Sequence, residues 1–123
     1  MALNPIDFIT FVKFWQINHR QMKSFGEIIR KEREKRNLFL RHVAAELDID
    51  QALVSRFEKG DRKPSKEQVL KFAEFFALDQ EELLIAWLSD KVAYDLQDED
   101  LAAKALKVAE KKIAYKSKKN QPK

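Results

Sequence analysis

The sequence predicts an all-α protein, and three observations carry that expectation. Apolar residues recur at helical spacing in segment after segment, with no period-two alternation to compete. Ser or Asp stands ahead of most of these segments, where a helix N-cap belongs. Only two glycines and three prolines occur in 123 residues, too few for a turn-rich sheet fold. The expected organisation is an apolar N-terminal extension (1–23), a five-helix domain (24–89), a C-terminal helical extension (90–115) and a disordered basic tail (116–123).

Residues 1–21 differ from the rest: Phe8, Phe11, Phe14 and Trp15 crowd into a run with few charges. Three readings stand open. The run is an extra helix that packs on the domain or on a second copy, an upstream translated segment ahead of Met22, or a membrane-surface helix. As a secretory signal it fails, because Asp7 and Lys13 interrupt the apolar stretch and no small-residue cleavage site follows. It is also much shorter than the roughly 20 apolar residues of a spanning helix. A cytoplasmic protein is the expectation.

From Ser24 the signals become regular. Ser24-Phe-Gly-Glu27 has the form of a capping box, with the hydroxyl taking an early amide and Glu27 reaching back. Phe25, Ile28 and Ile29 then face inward, and the helix ends near Arg36-Asn37. A short helix follows over about 40–47, with Leu40, Val43, Ala44 and Leu47 as its buried stripe. Asp48-Ile49-Asp50 makes a turn, and Asp50 caps the next helix, 51–59, whose inward residues are Leu53 or Val54 and Phe57. Gly60 sits where a left-handed C-terminal residue belongs.

Pro64 disfavours helix in the residues before it, so Asp61-Arg-Lys-Pro64 is a loop. Ser65-Lys-Glu-Gln68 is a second capping box, opening a helix that buries Val69, Leu70, Phe72, Ala73 and Phe76. Asp79 opens a fifth, carrying Leu83, Leu84, Ala86, Trp87 and Leu88. Asp98-Glu-Asp100 starts a last helix to about Tyr115, with acids at its start and lysines near its end, as the helix dipole favours.

Composition excludes several function classes. Cysteine is absent, which removes disulfide scaffolds, thiol catalysis and Cys-based zinc sites. Only His19 and His42 are present, without metal-ligand company, so no metal and no cofactor is expected. No nucleophile–base or metal constellation is visible, and an enzyme is the least favoured reading. The net charge of +4 is unevenly spread. Residues 79–110 carry three Lys against nine acids, and residues 111–123 carry six Lys and no acid. Overall basicity permits a nucleic-acid partner without establishing one.

Two short helices joined by a tight turn form the feature to weigh. Small Ala44 allows close approach at the crossing, and Ile49 plugs the space between the helices. The second helix then has a buried back (Val54, Phe57) and a polar or small front, which is what a helix lying in a major groove needs. Residues 25–88 resemble the helix-turn-helix domain of the Cro/phage-repressor (XRE-like) family, a lambda-repressor-like five-helix fold. The resemblance is carried by 40–60, LRHVAAELDIDQALVSRFEKG, then by Asp-Arg-Lys-Pro-Ser at 61–65 and Val-Leu-Lys-Phe-Ala at 69–73. Two departures stand out. Asp48 replaces the usual turn glycine, and Phe39-Leu40 replace the usual Thr-Gln, which removes a side-chain cap and one phosphate contact.

The resemblance implies roles for particular residues. Gln51, Ala52, Ser55 and Arg56 would read base edges: Gln51 an adenine, Ala52 a thymine methyl, Arg56 a guanine. Arg41, Lys59, Arg62 and Lys63 would hold phosphates of double-stranded DNA. Arg33 and Glu58 would form a partly buried ion pair tying the first helix to the recognition helix.

One such module touches few bases, so a homodimer reading two half-sites about 34 Å apart is expected. Its candidate interface is Trp87, Leu88, Leu101, Ala105, Leu106 and Ile113, with folding of the last helix onto its own core as the alternative. The function expected is that of a sequence-specific transcriptional regulator on a palindromic operator. Alternatives are the antitoxin of a toxin–antitoxin pair, whose C-terminal segment would cover a toxin partner, a controller of restriction–modification genes, and a protein-interaction adaptor that has lost DNA. No membrane association is expected of the domain.

Overall fold

The structure, a computed structural model, describes residues 23–119. The expectations placed on the N-terminal run at 1–21 and on the last four residues of the tail lie outside the described residues. Six helices and no strand occur among the described residues: α1 (Phe25–Lys35), α2 (Leu40–Leu47), α3 (Gln51–Lys59), α4 (Lys66–Phe75), α5 (Gln80–Leu96) and α6 (Ala102–Lys119). The chain divides into two units after Lys91. None of these helices is long and apolar enough to cross a membrane.

The helix starts follow their capping residues. Ser65 Oγ accepts from Gln68 N–H (3.2 Å) while Gln68 Oε1 accepts from Ser65 N–H (2.9 Å), a complete reciprocal box. Asp50 Oδ1 accepts from Ala52 N–H and Asp79 Oδ1 from Glu82 N–H. At α1 only half of the expected box forms. Ser24 Oγ accepts from Glu27 N–H (3.1 Å) without the return bond from Glu27 to the Ser24 amide, and Asp90 Oδ2 of α5 caps the next amide, Phe25 N–H (2.9 Å).

The helix ends share one device. In α1 to α4 a residue in left-handed conformation follows the helix: Asn37 (φ 57°), Asp48 (53°), Gly60 (80°) and Ala77 (54°). The next residue then donates back five positions, as in Leu38 N–H to Arg33 O (3.0 Å), Ile49 to Ala44 (3.0 Å), Asp61 to Arg56 (2.9 Å) and Leu78 to Ala73 (2.8 Å). This Schellman closure satisfies orphan carbonyls, and it turns Leu38, Ile49 and Leu78 back onto the core.

The core of the first unit is aromatic. The Phe72 ring meets Phe25 edge-on at 5.5 Å and Phe57 at 6.1 Å, and stacks on Phe76 at 6.4 Å, so one α4 side chain joins α1, α3 and its own helix end. Phe57, Phe72, Phe76, Val43, Val54 and Val69 are all essentially inaccessible. Trp87 was expected at an interface, and here the structure corrects the expectation. Its ring is buried, its indole N–H donates to Pro64 O (2.9 Å), and Lys91 Nζ lies 3.5 Å from its centroid. A Trp in the core needs one acceptor for its N–H, and the Pro64 carbonyl supplies it.

In the second unit α6 runs to Lys119, four residues beyond Tyr115. Lys116, Ser117, Lys118 and Lys119 are therefore helical, not part of a disordered tail. The lysines sit where the carbonyl end of the helix favours positive charge. No residue of α6 is buried.

Candidate nucleic-acid interface

Helices α2 and α3 are joined by Asp48, Ile49 and Asp50, a three-residue turn. Asp48 takes the left-handed conformation that usually calls for glycine; Asp is among the few residues that tolerate it. Ala44 is 6% exposed and Val54 fully buried, so the two helices meet through small and β-branched side chains.

The start of α2 lacks a side-chain cap from Phe39, which has no group to offer. His42 Nδ1 instead accepts the Phe39 N–H at 3.0 Å. The exposed Phe39 ring lies 5.5 Å from the His42 ring, and the Arg41 guanidinium carbon lies 4.7 Å from its centroid. Sequence reasoning missed this role of His42; its spacing of three from the cap position was the available signal.

Two contacts fix the C-terminal half of α3 on α1. Arg33 Nε donates to Glu58 Oε2 (2.8 Å) and its Nη2 to Glu58 Oε1 (3.0 Å), a bidentate pair, while Nη1 donates to Leu38 O (3.0 Å). The side chains are 15% and 7% exposed. Hydrogen bonding to Glu58 raises the Arg33 pKa above its ordinary value and outweighs the opposing effect of burial. Two turns earlier, Gly26 is buried against the backbone carbonyls of Phe57 and Glu58, and a Cβ there would sit 2.6 Å from Glu58 O. Sequence reasoning passed over Gly26. A glycine inside a helix costs stability, and that cost was the signal of a close backbone approach.

With its back held in this way, α3 presents Gln51, Ala52, Arg56 and Lys59 to solvent on successive turns of one side. Ser55, between them, is half-buried. Arg62 and Lys63 are exposed in the loop that follows. That loop is pinned at its end by buried Pro64, whose carbonyl holds the Trp87 indole. Arg41 is exposed on α2. The structure thus collects Gln51, Ala52, Arg56 and Lys59 on one helix, puts Arg62 and Lys63 directly after it, and leaves Arg41 on the preceding helix. The other proposed contacts, Leu88, Leu101, Ala105, Leu106 and Ile113, are exposed. No group of three His, Asp or Glu residues that would suit a metal ion occurs among the described residues.

Compared with known protein families, residues 24–84 match the model described as a helix-turn-helix domain. No curated protein and no solved structure matches the chain.

Proposed function

Because residues 24–84 belong to the helix-turn-helix DNA-binding family, we propose that the protein is a sequence-specific transcriptional regulator. It acts in the cytoplasm as a homodimer on a palindromic operator, with residues 24–89 contacting DNA and the C-terminal extension joining two copies. The observation that supports this reading is the outward side of α3, where Gln51, Ala52 and Arg56 are exposed while the opposite side is buried.

A major groove admits such a helix, and each base pair there shows a distinct pattern of donors, acceptors and methyl groups. Arg56 has the fork of donors that fits guanine O6 and N7; Gln51 has the donor–acceptor pair that fits adenine N6 and N7. Ala52 offers a methyl to thymine, and Ser55 reaches with a hydroxyl as far as its partial burial allows. Arg41, Lys59, Arg62 and Lys63 hold phosphates and set the register in which α3 reads. Positioning comes from Gly26 and the Arg33–Glu58 pair, which fix the distance and tilt of α3. Regulation then follows from occupancy: a dimer seated on a promoter excludes polymerase, and the protein performs no chemistry of its own.

Selection of bound duplexes from a random DNA pool tests this reading. The expected result is a consensus of two inverted half-sites about one helical turn apart. Recovery of sequences with no shared pattern would overturn it.

A further inference from the structure

Helix α6 has 18 residues and none of them is buried. Helices draw most of their stability from packing of an apolar face, so such a helix calls for a cover. Ala102, Leu106, Ala109 and Ile113 recur at spacings of four, three and four, the seam of a two-helix coil. Leu106 and Ile113 are 43% and 69% exposed. A second line of the same spacing, through Leu101, Ala105 and Val108, is interrupted by Lys112.

Charge and shape identify the occupant. Acids cluster just before α6 (Asp98, Glu99, Asp100), and lysines crowd its last turns (Lys116, Lys118, Lys119). Two copies laid parallel set lysines beside lysines and acids beside acids. Laid antiparallel, each acidic start meets a basic end. The seam residues agree with the second arrangement. When Ala102 faces Ile113 of the other copy, Leu106 faces Ala109, so every large side chain meets a small one. A parallel pair instead sets Leu106 on Leu106 and leaves the alanine layers underfilled. The arrangement is isologous, with one two-fold axis through the middle of the helix, as a closed dimer requires.

From this we propose that the Ala102–Ile113 face of α6 is a self-recognition surface that pairs antiparallel with the same face of a second copy. The proposal rests on the homodimer put forward above and names its contact.

The chain has no cysteine, which makes the test clean. Ala102→Cys and Ile113→Cys are prepared separately in the full chain, then oxidised alone and as an exchanged mixture, with the mass of each sample measured before oxidation. The expected result is a dimeric mass throughout, a disulfide-linked dimer in the mixture, and none in either variant alone. In the antiparallel pair each position lies about 16 Å along the axis from its own copy, at 1.5 Å rise per residue, too far for a bridge. Self-linking of each variant would show parallel pairing and overturn the proposal while leaving the dimer intact. A dimeric mass with no linkage in any sample would place the contact on another face and also overturn it. A monomeric mass would remove the dimer itself.

Discussion

Asp90 of α5 caps the start of α1: its Oδ2 accepts the backbone N–H of Phe25 at 2.9 Å, across 65 residues of sequence. Burial pushes the Asp90 carboxyl above its ordinary value; the Phe25 N–H offsets part of this, and the charge of Glu27 adds to the rise. The native state therefore binds this proton more readily than the unfolded chain. Between the ordinary carboxylate value and the raised one, stability falls as pH rises, because ionising the buried group costs free energy. Asp90→Asn keeps an acceptor and removes the charge. By urea unfolding it is expected to be at least as stable as wild type at pH 7, with the difference shrinking as pH is lowered through the carboxylate range. Asp90→Ala, which strands the Phe25 N–H, is expected to lose about 1 kcal/mol.

The Arg33–Glu58 pair predicts a strong coupling. Both partners are largely shielded, so removing one leaves a charge without water or a counter-ion. Arg33→Met alone and Glu58→Leu alone are each expected to cost about 3 kcal/mol. The double variant is expected to cost less than the sum, because two apolar side chains replace two charges. Equal and additive losses in a double-mutant cycle would show that the pair is not coupled.

Gly26 predicts an effect out of scale with one methyl group. Gly26→Ala puts Cβ against the carbonyls of Phe57 and Glu58, both backbone and unable to swing aside. A loss of about 1–3 kcal/mol in thermal unfolding is expected. DNA affinity is expected to fall as well, since α3 must shift outward to make room. A neutral substitution would mean that α1 and α3 do not meet this closely.

Ala77 predicts a gain. Its φ of 54° places a Cβ-bearing residue in the left-handed region after α4. That conformation costs an L-residue roughly 1–2 kcal/mol, from which the extra freedom of glycine in the unfolded chain must be deducted. Ala77→Gly is expected to stabilise the fold by about 0.5–1 kcal/mol, read as a higher Tm. DNA binding is expected to stay unchanged, because Ala77 lies outside the α2–α3 pair.

Much of the fold was legible from short-range signals. Apolar spacing located the helices, Ser65–Gln68 and Asp50 marked two starts, and Gly60 marked one end. The signals that failed were long-range or concerned competition between groups. Nothing beside Ser24 announced that the next amide, Phe25 N–H, is capped by Asp90 from α5, 65 residues away. Trp87 read as surplus apolar surface because its Pro64 acceptor lies 23 residues away and is invisible in a local window. Ala77 carried no turn signal, since its conformation is imposed by Leu78 seeking the core. For the interface, the alternation of buried and polar residues on α3 was readable. The depth of Ser55 depends on how neighbouring elements settle, whereas the cap supplied by His42 was signalled by its spacing of three from Phe39 and was overlooked.

Whether α3 reads bases is decided by titrating wild type, Arg56→Ala and Arg62→Ala on the selected operator and on a random duplex, across a range of salt. Arg56→Ala is expected to lose about 1–3 kcal/mol on the operator and almost nothing on random DNA. Arg62→Ala is expected to weaken both duplexes alike and to flatten the salt dependence by about one unit of slope per monomer. Equal losses on both duplexes for Arg56→Ala would contradict base reading by α3.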